Sequence, residues 1–315
     1  MHRYVGQRLV QLVPVLFTVS VLVFALMHII PGDPAQLLLG FENTDPQQLE
    51  RVRREFGLDQ PVYIQYGRWV GKILRGDLGI SVRTGQPITK LVGEAIPFTL
   101  ELAAYALLLA IGIAVPVGVW AATTRSRLAD TALQALTLFG LSLPAFWIGT
   151  MLILLFSVQL RWFPLLSYPH LWQDPLGNLR GFLLPALTLA IPNAAAIARM
   201  VRASMLSVRG EDYVRTARGK GLHENQVIRR HMLKNALIPI VTLIGIIAGY
   251  LLGGSIVVEQ VFAIPGLGRM GLQAIVQRDY PVLQAVVLIV TTLFVLTNLL
   301  VDLLYSFLDP RVRYA

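Results

Sequence analysis

Runs of mostly apolar residues, each long enough to cross a bilayer and each closed by a short polar connection, constrain this chain more than any other feature. A hydrocarbon core about 30 Å thick asks for about 20 such residues per helix. Helices and closed barrels alone satisfy every backbone group there. Six runs are read: Leu9 to Ile30, Phe98 to Ala122, Leu133 to Leu160, Phe182 to Met200, Ala236 to Val258 and Val282 to Leu304. The expected fold class is therefore all-α, a polytopic membrane protein with six transmembrane helices. Composition agrees, since 55% of the 315 residues are hydrophobic and 14% charged, more apolar surface than one soluble core of this size needs. The fourth run is the weakest, because Pro185, Pro192 and Asn193 interrupt it; lipid tolerates such breaks where neighbouring helices or a cavity satisfy the freed groups.

The first thirty residues pair Arg3 and Arg8 with the apolar stretch Leu9 to Ile30, which superficially matches a secretory signal. The stretch is longer than a signal core, and Pro31-Gly32-Asp33-Pro34 follows it where a small-x-small site would stand. It reads as a retained first span.

Basic residues orient the spans, because short cytoplasmic loops are enriched in Arg and Lys. On the side of the N-terminus lie Arg3 and Arg8, Arg125 and Arg127, nine basic residues from Arg199 to Lys234, and Arg311 with Arg313. The short loops opposite hold Arg161 and Arg180, then Arg269 and Arg278. Both termini are expected in the cytoplasm. The net charge of +9 is thus assigned to topology and not to nucleic acid, for which one basic face with interleaved aromatics is wanted. The absence of Cys removes disulfides, thiol chemistry and Cys-ligated metals.

Residues 31–97 depart from a simple loop: eight basic residues balance eight acidic ones. Asp45-Pro46-Gln47-Gln48 has a cap residue, Pro at the first helical position and Gln at the third, as a helix start requires. Leu49, Val52 and Phe56 follow at helical spacing and Gly57 closes the element. Pro61 opens a second helix whose apolar side is Tyr66, Trp69, Val70 and Ile73. A small external helical cap results, equally readable as a platform for an outside partner or as a plug packed on the spans.

The cytoplasmic stretch DYVRTARGKGLHENQVIRRHMLKNALIP, residues 212 to 239, is the most informative. A helix over Asp212 to Lys220, a left-handed cap at Gly221 and a second helix running into the fifth span are expected. Such a hairpin presents its end to another protein. The charges alone are explained by the positive-inside rule and anionic lipid; the ordered helix-Gly-helix layout is not.

That segment resembles the loop of permease subunits in ABC importers, whose general pattern is Glu-Ala-Ala, three residues, Gly, nine residues, Ile-x-Leu-Pro. With the Gly on Gly221, Ala217 and Leu233 match, while His231 stands for the Ile and Lys234 for the Pro. The peptide branch is closer. YVRTARGKGL followed by RHMLKNALIP is similar to the dipeptide, oligopeptide, glutathione and nickel permeases. So are PGDPA (31–35), GLDQPVYIQY (57–66), GDLGIS (76–81), GGSIVVEQVFAIPGLGR (253–269), RDYPVLQA (278–285) and LVDLLYSFLDPRVRY (300–314).

The resemblance implies a type I ABC importer transmembrane domain in a bacterial inner membrane. Its parts are the N-terminus and first span (1–30), an external helical segment (31–97), a five-helix core (98–306) with the coupling loop near 201–234, and a tail (307–315). It implies no cofactor or metal on this chain, with ATP and Mg on two separate ATP-binding subunits. A second homologous permease subunit, an external substrate-binding protein and membrane lipid complete the partners, without nucleic acid. Tyr213, Arg215, Ala217, Gly221 and His231 are the expected coupling residues: small Ala217 and Gly221 for close approach, Arg215 for acidic groups, His231 for packing. Glu259 and Phe262 lead into Pro265-Gly266, a turn that resists a continuous helix and serves as the candidate outer gate.

Catalysis is not expected, since Gly-x-x-x-x-Gly-Lys-Ser/Thr, His-Glu-x-x-His and Gly-x-Ser-x-Gly are all missing. Polar residues in or near the spans, His28, Glu101, Asn193, Asn298 and Asp302, serve either a polar pathway or hydrogen bonds between helices. Three rivals remain to the importer of short peptides: the same architecture carrying glutathione or chelated nickel, a secondary transporter driven by an ion gradient, and a membrane-embedded enzyme.

Overall fold

The computed structural model describes residues 2–29, 46–56, 59–124 and 127–308. Its helices are α1 (His2–Ile29), α2 (Pro46–Phe56), α3 (Val62–Leu74), α4 (Ile88–Thr123), α5 (Arg127–Ser142), α6 (Ala145–Leu152), α7 (Pro175–Arg209), α8 (Asp212–Gly219), α9 (Lys234–Gly254), α10 (Ile256–Val261), α11 (Leu267–Gln277) and α12 (Tyr280–Leu308). A π-helical turn, Ile153–Gln159, extends α6, and Glu224–Gln226 with a second π turn, Val227–Leu233, leads into α9. Among the described residues the only β pairing is the isolated bridge of Ile80 with Pro87.

Four helices are long and apolar enough to cross a membrane: Ile88–Thr123, Pro175–Arg209, Glu224–Gly253 and Tyr280–Val301. Two shorter apolar helices, Val10–Ala25 and Ala145–Gln159, fall where the first and third spans were read. The third span is not one helix. Pro144 lacks an N–H and pushes the residue before it out of helical geometry, so the chain breaks at Leu143 between α5 and α6. The fourth goes the other way: α7 is continuous through Pro185 and Pro192. Within it the Thr188 hydroxyl donates to the Leu184 carbonyl and the Asn193 amide to the Leu189 carbonyl. Buried neighbours replace water around α7, whose apolar window is 67% buried against 28–39% for the other three.

Chain contacts divide the protein into two compact units, Met1–Thr99 with Pro265–Val295, and Leu100–Ile264 with Leu296–Ala315. In the first, Tyr66 and Trp69 of α3 pack on Phe24 of α1, with ring centroids 5.4 and 5.6 Å away. Val70 and Ile73 share that half-buried side, while Tyr63 and Leu74 stay exposed. The core of this unit joins Ile88, Val92 and Ala95 of α4 to Leu267 and Ala274 of α11 and Val282, Ala285 and Val286 of α12. Its polar clasp is Asp279, 3% exposed. The carboxylate accepts from the Ser81 hydroxyl at 2.5 Å and from the backbone N–H of Arg83 at 3.4 Å. Asp45 and Gly57, read as helix cap and helix end, lie outside the described residues.

In the second unit α7 is central. Asp174 caps it by accepting from the Gly177 N–H at 2.9 Å, with Pro175 at the first helical position. Gly118 of α4 lies against it so closely that a Cβ there would sit 2.6 Å from Val201 Cβ and 2.7 Å from the Ala198 carbonyl oxygen. Lipid is as apolar as Leu, so small residues that let backbones approach supply much of the helix association. Asn178, fully buried, donates to Glu101 at 2.7 Å and accepts from the Tyr105 hydroxyl at 2.8 Å. Glu101 thus makes hydrogen bonds between helices, one of its two expected roles. The side chains of His28 and Asp302 lie outside the described residues.

Candidate functional site

The stretch 212–239 folds as a hairpin of the kind its glycine demands. Gly221 has φ +77°, and its N–H bonds the Arg218 carbonyl at 2.9 Å while the Leu222 N–H reaches the Ala217 carbonyl at 3.4 Å. Those two bonds, five-to-two and six-to-one in that order, form a Schellman cap that satisfies the last carbonyls of α8. A Cβ on Gly221 would meet nothing within 4 Å, so backbone conformation and not space selects glycine. His223 then starts the next helix, its ring accepting weakly from the Asn225 N–H at 3.4 Å.

One ion pair closes the hairpin across the turn. Arg218 donates from two nitrogens to the Glu224 carboxylate, at 2.8 and 3.2 Å. This bond holds the guanidinium pKa above its ordinary value, against a smaller opposing effect of burial. Arg218 and Glu224 are six residues apart, so helical spacing does not reveal them. Arg209, at the end of α7, donates to the Ala122 carbonyl at 3.1 Å. It places a cation on the C-terminal turn of α4, where the helix dipole favours one.

The five expected coupling residues divide into two groups. Tyr213 is 40% exposed, and Arg215 is exposed with a loose 3.6 Å pairing to Asp212. Burial and the nearby Glu211 carboxylate push the Tyr213 phenol up, against a lowering hydrogen bond with Asn235. Gly221 is exposed at the tip. Ala217, 4% exposed, is buried together with Val214 and faces its own chain. Its small size therefore serves the hairpin's packing. His231 is half-buried in the π turn, its carbonyl accepting from the Asn235 amide at 2.7 Å.

The candidate gate residues occupy a second turn. Glu259 is fully buried on α10, and its carboxylate accepts from the Ser255 hydroxyl at 2.8 Å. Phe262 is buried; its carbonyl accepts from the Tyr168 hydroxyl at 2.7 Å, and Gly149 leaves room for its ring. Ala263 turns the chain at φ +55°, and the Ile264 N–H returns to the Glu259 carbonyl. Pro265 is exposed and Gly266 buried, preceding α11 in the other unit. Tyr168 is the tether that sequence reading missed, because nothing in its spacing ties it to Phe262. Among the described residues no cluster of His, Cys, Asp and Glu suited to a metal ion exists.

Residues 114–314 match the profile of the family described as binding-protein-dependent transport system inner membrane component, and residues 1–103 match that of its N-terminal part. A protein of Brucella abortus (strain 2308) named for a peptide transport system permease is 44% identical over 98% of both chains. The glutathione transport system permease protein GsiC of Escherichia coli (strain K12) is 43% identical over 100% of both. Among solved structures, inward-facing forms of the MetNI methionine ABC transporter match with a TM-score of 0.58 at 23% identity, covering 71% of this chain and 99% of the other. That likeness speaks to the fold.

Proposed function

The chain belongs to the binding-protein-dependent transport system inner membrane components, the multi-pass permease subunits of ABC importers, and on that premise we propose that its cargo is a short peptide. The carrying observation is the 44% identity, over 98% of both chains, to proteins named for peptide transport. Family membership argues against the ion-gradient transporter and the membrane enzyme. Glutathione is the second reading, favoured by the equally full match to a glutathione permease. Glutathione is itself a tripeptide, with its first link through a side-chain carboxyl.

In this reading two ATP-binding subunits supply the energy and an outside binding protein delivers the peptide. A second permease subunit completes the pore, and both termini are cytoplasmic. The hairpin of α8 and Glu224–Leu233 is the coupling element. Its exposed side, Tyr213, Arg215 and the Gly221 tip, docks on an ATPase subunit, while Val214, Ala217 and the Arg218–Glu224 pair keep it stiff enough to transmit displacement. His231 and Ala217 act inside the hairpin. Closure of the ATPases displaces the hairpin, and rigid-body motion of the spans opens the path to alternate sides. The Glu259–Gly266 turn forms the outer gate.

Uptake into proteoliposomes holding the whole complex decides the cargo. With the binding protein outside and ATP supplied to the ATPases, labelled di- and tripeptides are expected to accumulate and to compete with one another. Accumulation of glutathione with no competition from α-linked peptides would install the second reading.

A further inference from the structure

Asn178, Gly181 and Phe182 stand on one face of α7, at helical spacing, and each grips the loop of residues 167–169. The Asn178 amide donates to the Pro169 carbonyl at 2.8 Å. A Cβ on Gly181 would strike the Ser167 carbonyl oxygen, so the loop backbone lies directly on the helix. The Phe182 ring, fully buried, packs on Tyr168 and on Tyr105, with centroids 5.3 and 5.8 Å away. Asn178 also donates to Glu101 and accepts from Tyr105, so a single amide ties α4, α7 and the loop together. The Tyr168 ring is thereby fixed, and its hydroxyl is aimed at the Phe262 carbonyl, 2.7 Å away.

What that hydroxyl holds is a strained turn. Phe262 caps the end of α10, and a helix terminus leaves its last carbonyls without partners inside the helix. Ala263 follows at φ +55°, a left-handed conformation that glycine adopts freely and alanine only at a cost. Strain of this kind persists where the surroundings impose it, and it collects at switch regions. The Ala263 and Ile264 N–H groups close the turn from within, on the Gln260 and Glu259 carbonyls; Tyr168 closes it from 94 residues away. The chain passes between its two compact units after Thr99, after Ile264 and after Val295. Glu101 and Phe262 stand two residues from the first and second passages, so one bonded set, wholly inside the second unit, anchors both.

We propose that Tyr168 is a positioning residue for transport: its hydroxyl holds the Glu259–Gly266 turn in the packed form, with Phe262 buried, against the strain at Ala263, and releases the Phe262 carbonyl when the path opens outward. The inference rests on the outer-gate reading. Asn178, Gly181 and Phe182 serve the same bond by holding Tyr168 in place. Opening breaks one hydrogen bond and lets Ala263 relax to an ordinary φ, so the two effects oppose each other and the turn is poised between two forms. A change that acts on one form alone shifts the balance by its own worth.

The test reads ATP hydrolysis by the reconstituted complex without cargo or binding protein, where turnover reports how often the path opens unprompted. Tyr168→Phe keeps the ring on Phe182 and removes the oxygen. It is expected to raise this idle hydrolysis about fivefold, the weight of one net hydrogen bond in an equilibrium. Ala263→Gly relieves the packed form and is expected to lower idle hydrolysis several-fold. A bond that only stabilises the fold would change the melting temperature of the complex in the two variants and leave idle hydrolysis alone. Idle hydrolysis unmoved in Tyr168→Phe, or moved in the same direction by both variants, overturns the assignment. Should Tyr168→Phe fail to insert, Ala263→Gly decides by itself: an unmoved or raised idle rate refutes the opposition of bond and strain. Phe262→Ala separates this from the gate reading. If it leaves idle hydrolysis and uptake as they were, the outer gate lies elsewhere; if it raises idle hydrolysis while Tyr168→Phe is silent, the gate stands and the role of Tyr168 falls.

Discussion

Gly221 separates conformation from space. Its φ of +77° forbids most side chains while its surroundings forbid none. An L-residue held there costs roughly 1–2 kcal/mol, and a β-branched one is a true outlier. Asn visits this region readily and replaces Gly at helix ends. Gly221→Asn is therefore expected to keep most of the uptake, while Gly221→Val loses it with the chain still inserted and the ATPases still turning over. Parallel assays of peptide uptake and phosphate release read the difference; equal behaviour of the two variants refutes the role of the cap. The left-handed position was legible because helix-period residues stop and glycine follows. The buried face of Ala217 was not, since a small residue in an eight-residue helix suits a partner's groove and the chain's own packing equally well.

Elements were legible where local chemistry decides and misread where burial does. The starts at Pro46 and after Pro61, and the hairpin of α8, follow from caps and breakers within a few residues. Pro144 broke the third span, yet Pro185 and Pro192 left α7 whole. The difference lies in surroundings no window of sequence contains: α7 is enclosed by neighbours that hold it in register. Gly118 belongs to the same hidden layer. A side chain there would strike Val201 and the Ala198 backbone, whereas Gly112, six residues earlier on α4, has nothing within 4 Å. Overpacking of this kind costs about 1–3 kcal/mol or more when the obstacle is backbone. Gly118→Leu is expected to lower the melting temperature of the detergent-purified chain clearly, and Gly112→Leu to leave it within error. A similar fall in both would mean that helix propensity, not the α4–α7 crossing, sets the effect.

At the scale of the whole molecule, charge carries the direction of transport. Nine basic residues between Arg199 and Lys234 stand against Arg161, Arg180, Arg269 and Arg278 in the opposite short loops; by the positive-inside rule the proposed coupling hairpin is expected on the ATP side. In the proposed reading the same rule puts α3, with Tyr63 75% exposed, on the outer side, where a binding protein would deliver. A permease inserted the other way would present a driven hairpin to a compartment without ATP, so topology is a precondition of the mechanism and not a detail of it. The absence of cysteine makes the point directly measurable. In intact cells a membrane-impermeant maleimide, applied after outer-membrane permeabilisation, is expected to label Tyr63→Cys at once. Lys220→Cys, at the exposed hairpin tip, should react only after the inner membrane is opened. Labelling of both from one side would place hairpin and external helices in the same compartment. The six-span count and the coupling role of the hairpin would then fall together.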